Sequence, residues 1–481
     1  MSLLKKSVSG LIWSTINTLG FYVINLIVQI ILARILSPED FGVMATIQVF
    51  LVIGMFLMDG GMTSSLIRMK KPTEEDFSTV FFTNITFSLI FYSICFFIAP
   101  YVAVFYNKEI IEDLIKVVSL SFVIRSFGAV QAAVLTKKMQ FKKQFYIQIP
   151  SIIIGGAVGI ILGLYGVGVW SLVFFNVAQS ITYSIVYWLL SGWKPKLIFK
   201  KDLFLYHFNF GYKISLTNIF NGLFDNIYNM VIGKVYSLQM LSYYNRAETF
   251  QFLPGRVMSG TLEKVTYPMF AEIQDDDLKL NKSYRTILLQ AFYAHTPILI
   301  FISIFAEPIF RFVLTEKWLP MVPYFRVLLI AGIFNPLQRF NLNILRVKNK
   351  PSQILYLNVF KKVLVALAIL CTFKFDLIYM VTVQSITYVF SFLIISHYVG
   401  KLISYDLYTL FRDFLPIVML NILWGGLLVG LLVVFNSVFN DILLILSMSM
   451  VAIVLYFLLS KLLKIEQIDE ALKIIKKGYK K

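Results

Sequence analysis

The chain is poor in charge and in cysteine, and each shortage excludes something. Only 15% of its 481 residues are Asp, Glu, Lys or Arg, whereas 58% are hydrophobic and the mean hydropathy is +0.77. A soluble protein of this length needs more charge to cover its surface. The two cysteines, Cys95 and Cys371, each stand alone in an apolar run, which gives neither a disulfide framework nor a metal site. Nucleophile elbows, phosphate-binding glycine loops and zinc patterns are missing, so no enzyme activity and no resident cofactor are expected. No loop is long enough for a folded soluble domain.

What the chain does have is a succession of long uncharged apolar runs. A run of roughly 18 residues or more spans a bilayer as a helix. In lipid only helices and closed barrels satisfy their own backbone groups. These runs are too long and too continuous for the alternating strands of a barrel. They predict an all-α integral membrane protein of about fourteen transmembrane helices, near 9–33, 40–66, 78–106, 112–135, 145–165, 168–190, 206–233, 240–270, 284–312, 320–345, 353–373, 376–399, 411–435 and 441–461. The first run follows Lys5 and Lys6. It is too long for a signal peptide and has no small-residue cleavage site, so it is expected to remain as a helix.

The net charge is +18. Nucleic-acid binding is one reading of such a number, but the cations fall in every second short loop. Arg68, Lys70 and Lys71 follow the second span. Lys137, Lys138, Lys142 and Lys143 follow the fourth. Lys194, Lys196, Lys200 and Lys201 follow the sixth, and Arg346, Lys348 and Lys350 the tenth. Lys473, Lys476, Lys477, Lys480 and Lys481 close the chain. Positive loops stay inside, so both termini are expected on the cytoplasmic side, with membrane lipids as neighbours and no nucleic-acid partner. Asp275-Asp276-Asp277 sits in one such loop. The triplet matches the metal-binding motif of some glycosyltransferases but lacks their α/β domain, and a solvated loop is expected.

A short internal repeat adds organisation. Ala33-Arg34-Ile35-Leu36-Ser37 leads out of the first span and Gly233-Lys234-Val235-Tyr236-Ser237 out of the seventh, about 200 residues later. Such symmetry suggests two pseudo-symmetric helix bundles around a central cavity. The expected divisions are 1–200, 201–400, and two additional C-terminal spans with a charged tail over 401–481.

These segments also carry a family resemblance. Ala33-Arg34-Ile35-Leu36-Ser37-Pro38-Glu39-Asp40-Phe41-Gly42-Val43-Met44-Ala45 resembles the opening signature of bacterial polysaccharide exporters. Gly166-Val167-Gly168-Val169-Trp170-Ser171-Leu172-Val173 is similar to that family's turn between its fifth and sixth helices. Phe210-Gly211-Tyr212-Lys213 through Asp225, Gly233, Tyr243-Tyr244-Asn245-Arg246-Ala247 and Pro254 resembles its seventh and eighth helices. The subgroup is that of the Wzx-type colanic and teichuronic acid exporters, within the multidrug/oligosaccharidyl-lipid/polysaccharide superfamily. The resemblance implies alternating access and an undecaprenyl-diphosphate-linked oligosaccharide as substrate. It also implies a place in the bacterial cytoplasmic membrane, in cell-surface polysaccharide synthesis beside a polysaccharide polymerase.

Ionisable residues at bilayer depth are costly, about 2.5–3.5 kcal/mol each on insertion scales, and therefore tend to face protein or water. Arg125, Lys213, Arg256 and Arg326 are candidates to hold the diphosphate and glycan, a guanidinium fork being matched to phosphate oxygens. Three of them have a plainer alternative: pairing with a neighbouring acid for Arg125, snorkelling for Lys213, an interfacial position for Arg326. Pro254-Gly255 beside Arg256 is expected to bend or break its helix. Asp59, Asp225 and His295 are candidates for coupling or gating, with a proton or sodium ion as the coupled species. Structural pairing is the plainer role for the two acids, and hydrogen-bonded packing for His295. Glu263 is a further intramembrane acid.

Two other functions compete with a flippase. A multidrug cation antiporter of the same superfamily calls for an acidic, aromatic cavity, which the excess of cations at depth disfavours. A membrane polymerase or glycosyltransferase calls for a large external loop, and the external loops here are short.

Overall fold

A computed structural model describes residues 3–435 and 439–470; residues 471–481, with the basic tail from Lys473 onward, lie outside the described residues, as do the side chains of 3–12, 14, 15, 256, 257, 261, 264 and 265. The described chain is α-helical without strands. In order it forms α1 (Leu3–Ile35), α2 (Pro38–Asp59), α3 (Met62–Arg68), α4 (Glu74–Tyr106), α5 (Ile110–Lys137), α6 (Phe141–Leu164) and α7 (Trp170–Leu190). Next come α8 (Lys201–Asp225), α9 (Ile227–Val235), α10 (Leu238–Glu272), α11 (Asp277–Ile304) and α12 (Ala306–Leu314). A 3-10 turn (Glu316–Met321) then leads to α13 (Val322–Val347), α14 (Pro351–Thr372), α15 (Leu377–Ile403), α16 (Leu407–Phe435) and α17 (Asp441–Leu462).

Twelve helical segments among the described residues are long and apolar enough to cross a membrane. The expected count of about fourteen differs by two, α8 with α9 and α10. Lys213 and Asp225 in the former, and Arg246, Glu248, Arg256 and Glu263 in the latter, pull these helices below the apolar average of a span.

The chain divides into two compact units, Met1–Ser242 and Tyr243–Lys481. In the first, α4 lies along α5, α6 along α7, α1 along α6 and α5 along α7, with α2 held between α4, α5 and α8. The buried faces of α4 and α5 are rich in small polar residues: Ser78, Thr79, Asn84 and Ser88 on one, Ser119, Ser121 and Ser126 on the other. Such residues let helices approach closely where lipid supplies no hydrophobic drive between them. Ser88 and Ser126 hydrogen-bond across the pair at 3.2 Å.

Capping boxes start α2 and α4. The Ser37 and Thr73 hydroxyls each accept from a backbone N–H three residues on, and Asp40 and Asp76 return the bond. The internal repeat is visible as geometry. α1 and α9 each end two residues before the next helix, and Ser237 Oγ accepts from the Met240 N–H at 3.1 Å as Ser37 Oγ accepts from Asp40 N–H at 3.2 Å. The two repeats also touch. Gly42 near the start of α2 lies so close to the Leu238 carbonyl that any Cβ there would collide with it.

The second unit has a core of another kind. Phe292, Phe340, Phe392 and Phe414 are buried together, with the Phe292 and Phe414 rings stacked at 4.1 Å. Tyr284 donates to Asn341 Oδ1 at 2.8 Å, and Asn341 donates to Ser396 Oγ at 2.8 Å, so that these three buried side chains are paired across α11, α13 and α15. Asp276 of the acidic triplet caps α11 by accepting from the Lys279 N–H at 3.0 Å, which holds its carboxyl below the usual carboxylate range. Asp277 meets Lys348 at 2.6 Å. The triplet is thus a loop and cap.

Candidate functional site

The second predicted span is not one helix. It ends at Asp59, turns through Gly60 and Gly61, and resumes as α3. Both glycines have left-handed backbone, φ 55° and 70°, which other residues adopt only at a cost. Gly61 is needed twice over, because Gly211 of α8 packs backbone to backbone against the turn and leaves no room for a Cβ on either residue. The freed start of α3 is covered by Asp59. Its carboxylate accepts from Thr63 N–H at 3.2 Å and from Thr63 Oγ at 2.8 Å. The helix end carries partial positive charge, so an acid belongs there. The buried Asn84 amide approaches the same carboxylate without reaching hydrogen-bond geometry.

Arg125, half-buried in the middle of α5, stands beside this break. Its guanidinium carbon lies 4.5 Å above the Tyr183 ring of α7. Among the described residues no carboxylate comes within 4.0 Å of it, so the acid pair weighed as its plainer alternative is not formed. A cation on an aromatic face gains about 0.5–2 kcal/mol, too little to cancel the charge. The Tyr183 and Tyr187 rings of α7 meet at 4.5 Å, and Gln148 of α6 accepts from Asn17 Nδ2 of α1 at 3.2 Å. Between α5 and α7, flanking Arg125, runs an apolar groove of about 360 Å³ lined by Ile124, Phe127, Ile181, Ile185, Trp188 and Leu189.

The other sequence candidates are placed as follows. Lys213 is exposed in the middle of α8, its ammonium 5.8 Å from the Tyr212 ring. Asp225 is the exposed last residue of α8, where the chain breaks before α9. Arg326 donates to Glu307 at 3.0 Å and to the Ser303 carbonyl at 3.2 Å. His295 is buried, and its Nε2 meets the Gly332 carbonyl at 3.2 Å, a packing bond between α11 and α13. Glu263 pairs with Arg346. The backbone of α10 passes through Pro254 without ending, so the helix does not break at the point where a bend or a break is expected, and the Arg256 side chain lies outside the described residues.

Several charged residues escaped the sequence reading. His207 of α8 is fully buried between Ser65 and Asp76. Arg246 of α10 is buried over Trp318, 5.8 Å from its ring. Lys361 and Lys362 occupy the middle of α14, and their signal was plain: two adjacent lysines near the centre of an otherwise apolar span. His207 and Arg246 gave weaker signals, since each sits near a helix start, where charge is ordinary.

A helical protein with this many spans, a helix broken at an acid inside the first unit and an arginine set on an aromatic ring at mid-span has the build of a membrane transporter. Residues 31–323 match the family described as polysaccharide biosynthesis protein, and the chain belongs to that family. The resemblance read from the sequence is borne out. Lipopolysaccharide biosynthesis protein WzxC of Escherichia coli (strain K12) is 24% identical over 370 residues, covering 75% of this chain and 74% of that one. Succinoglycan biosynthesis transport protein ExoT of Rhizobium meliloti (strain 1021) is 24% identical over 335 residues, covering 68% and 67%. In fold the chain is similar to the lipid II flippase MurJ in an inward closed conformation, with a TM-score of 0.72 at 16% identity over 95% of this chain and 100% of that one.

Proposed function

We propose that the protein is a flippase that moves an undecaprenyl-diphosphate-linked oligosaccharide from the cytoplasmic to the outer leaflet by alternating access. Its place is the bacterial cytoplasmic membrane, with both termini inside and a polysaccharide polymerase as downstream partner. The observation that carries this reading is Arg125. It is a mid-span guanidinium held by an aromatic ring, with no carboxylate within ion-pair distance among the described residues, beside an apolar groove. That juxtaposition suits a ligand with an anionic head and a hydrocarbon tail. The names of relatives in lipopolysaccharide and succinoglycan synthesis support the same substrate class.

Moving charge through the membrane potential is worth roughly 2.3 kcal/mol per charge per 100 mV. Two negative charges leaving a negative interior therefore gain roughly 4–5 kcal/mol per 100 mV, enough to drive flipping without a coupled ion. A proton or sodium ion at Asp59 would add to this drive.

Reconstitution in liposomes with labelled undecaprenyl-diphosphate oligosaccharide tests the reading, with and without a potential and a pH gradient. Transfer that grows with an inside-negative potential is expected. Efflux of cationic dyes with no lipid transfer would make the protein an antiporter instead.

A further inference from the structure

We infer that Arg68 of α3 and Lys213 of α8 form a second oxyanion site, in the first unit, which takes phosphate or carboxylate oxygens of the transported molecule; this rests on the flippase reading above. α8 lies along α3 and α2 through four buried positions. His207 meets Ser65, Gly211 packs on the Gly60-Gly61 turn, Ser215 Oγ donates to the Phe56 carbonyl at 3.1 Å, and Gly222 faces Val52. α2 is apolar enough to cross the bilayer, so α8 runs at membrane depth beside it. Yet Asn209, Lys213 and Thr217, spaced four residues apart, are exposed. At about 100° per residue Asn209 and Lys213 fall roughly opposite Gly211. Ionisable groups at such depth are costly in lipid and face water or protein. Lys213 is the thirteenth of the 25 residues of α8. The twelve on either side make about 18 Å of helix, too far for its ammonium to reach a headgroup region.

Arg68 reaches this line from α3. Its guanidinium carbon lies 4.0 Å above the Phe210 ring. Phe210 and Lys213 are three residues apart and so neighbours on the helix surface, about 5–6 Å between Cβ atoms. A basic residue in the last turn of a helix ordinarily serves the free carbonyls there. In α3 they are served by Lys137 of α5 instead, which donates to the Leu66 carbonyl at 3.3 Å, to that of Ile67 at 3.1 Å and to that of Met69. Arg68 is thereby released from the cap and turned onto α8. Among the described residues no carboxylate lies within 4.0 Å of Arg68 or Lys213. The rings beside them, Phe210 and Tyr212, are neutral and orient the cations without cancelling them. A planar fork and a point charge one turn apart suit an oxyanion held between them, a diphosphate or a carboxylate. Arg125 is a separate site, since its guanidinium rests on α7.

The test uses the full-length protein and two readouts. The first is made in lipid nanodiscs, open to reagent on both faces, with Cys371→Ser so that only the buried Cys95 remains. Asn209→Cys in this background is expected to react with a charged, water-soluble maleimide, and inorganic pyrophosphate to slow the reaction saturably. The protection should vanish in Arg68→Gln/Lys213→Gln, persist in Arg68→Lys/Lys213→Arg, and be unchanged in Lys70→Gln/Lys71→Gln, an exposed pair on the loop after α3. No reaction at that position, no protection by pyrophosphate, or protection that survives the double glutamine change overturns the site. In proteoliposomes Arg68→Gln/Lys213→Gln is expected to flip lipid-linked oligosaccharide about tenfold more slowly, the order of one lost charge-assisted hydrogen bond. Equal slowing for neutral and uronic-acid glycans assigns the site to the diphosphate; slowing confined to acidic glycans assigns it to the glycan carboxylate. Flipping of both lipids at the wild-type rate overturns the inference as well. If the wild type itself flips neither lipid, the flippase reading fails, and the pyrophosphate protection alone decides: lost in the variant it upholds the site, kept it removes it.

Discussion

His207 Nε2 lies 3.0 Å from Asp76 Oδ1, and both side chains are shut away from solvent, at 0% and 1% exposure. The other ring nitrogen meets Ser65 Oγ at 2.9 Å, and the second oxygen of Asp76 accepts from Thr73 N–H at 2.7 Å and Thr73 Oγ at 2.6 Å. One imidazole therefore ties α8 to α3 and to the capped start of α4. Removing a partner from such a buried pair typically costs about 3–5 kcal/mol, because the other is left without compensation. His207→Ala and Asp76→Ala should each lower the melting temperature in detergent, and the double variant should be much less damaged than the sum. Simple additivity would show that the two groups are not energetically coupled.

Arg125 is predicted to act in transport rather than in folding. Arg125→Glu should insert and purify like the wild type while transfer of the lipid-linked substrate falls at least tenfold. Arg125→Lys should retain part of the rate, because it keeps the charge and loses the planar fork. Wild-type transfer in Arg125→Glu would remove this residue from the substrate path.

The turn at Gly60-Gly61 gives a steric prediction. Gly211→Ala places a methyl group against the Gly60 carbonyl and the Gly61 backbone, neither of which can rotate aside. Overpacking of this sort costs about 1–3 kcal/mol. Gly426→Ala, where a Cβ meets nothing within 4 Å, is the control and should leave the melting temperature unchanged. Equal melting temperatures for the two variants would mean that α8 does not pack against the turn in this way.

The contact of Gly42 with Leu238 predicts a conformational effect. If the positive loops are inside, the turn after α1 and the turn before α10 both lie at the outer face, and the contact is where that face would part. Gly42→Val cannot fit beside the Leu238 carbonyl. It should raise the labelling of a cysteine placed at Thr46, now 1% exposed, by a membrane-impermeant maleimide added from outside. Unchanged labelling would place the outer gate elsewhere.

Much of the fold was legible because lipid imposes its constraint locally. A run such as Asp441–Leu462 must be helical wherever it packs, since its own backbone is the only partner its amides have in hydrocarbon. The repeat around Ser37 and Ser237 was legible for the same reason, capping being a matter of three or four consecutive residues. The two helices that fall short of a span by composition, α8 and α10, carry charge along their length, and a residue such as His207 of α8 has its partners, Ser65 and Asp76, far away in sequence.

The sequence by itself determined an all-helical membrane protein, roughly where its helices run, and several of the residues that carry charge at depth, Arg125 and Asp59 among them. Only the tertiary structure decided what those charges meet: Arg125 a tyrosine ring, Arg326 a glutamate, His295 a backbone carbonyl, Asp59 the start of a broken helix. It also decided that the phenylalanines of α11, α13, α15 and α16 form a buried stack. The reason is range. Helix formation in lipid is settled within one turn of the chain, whereas the neighbour of a side chain is set by packing between segments a hundred or more residues apart.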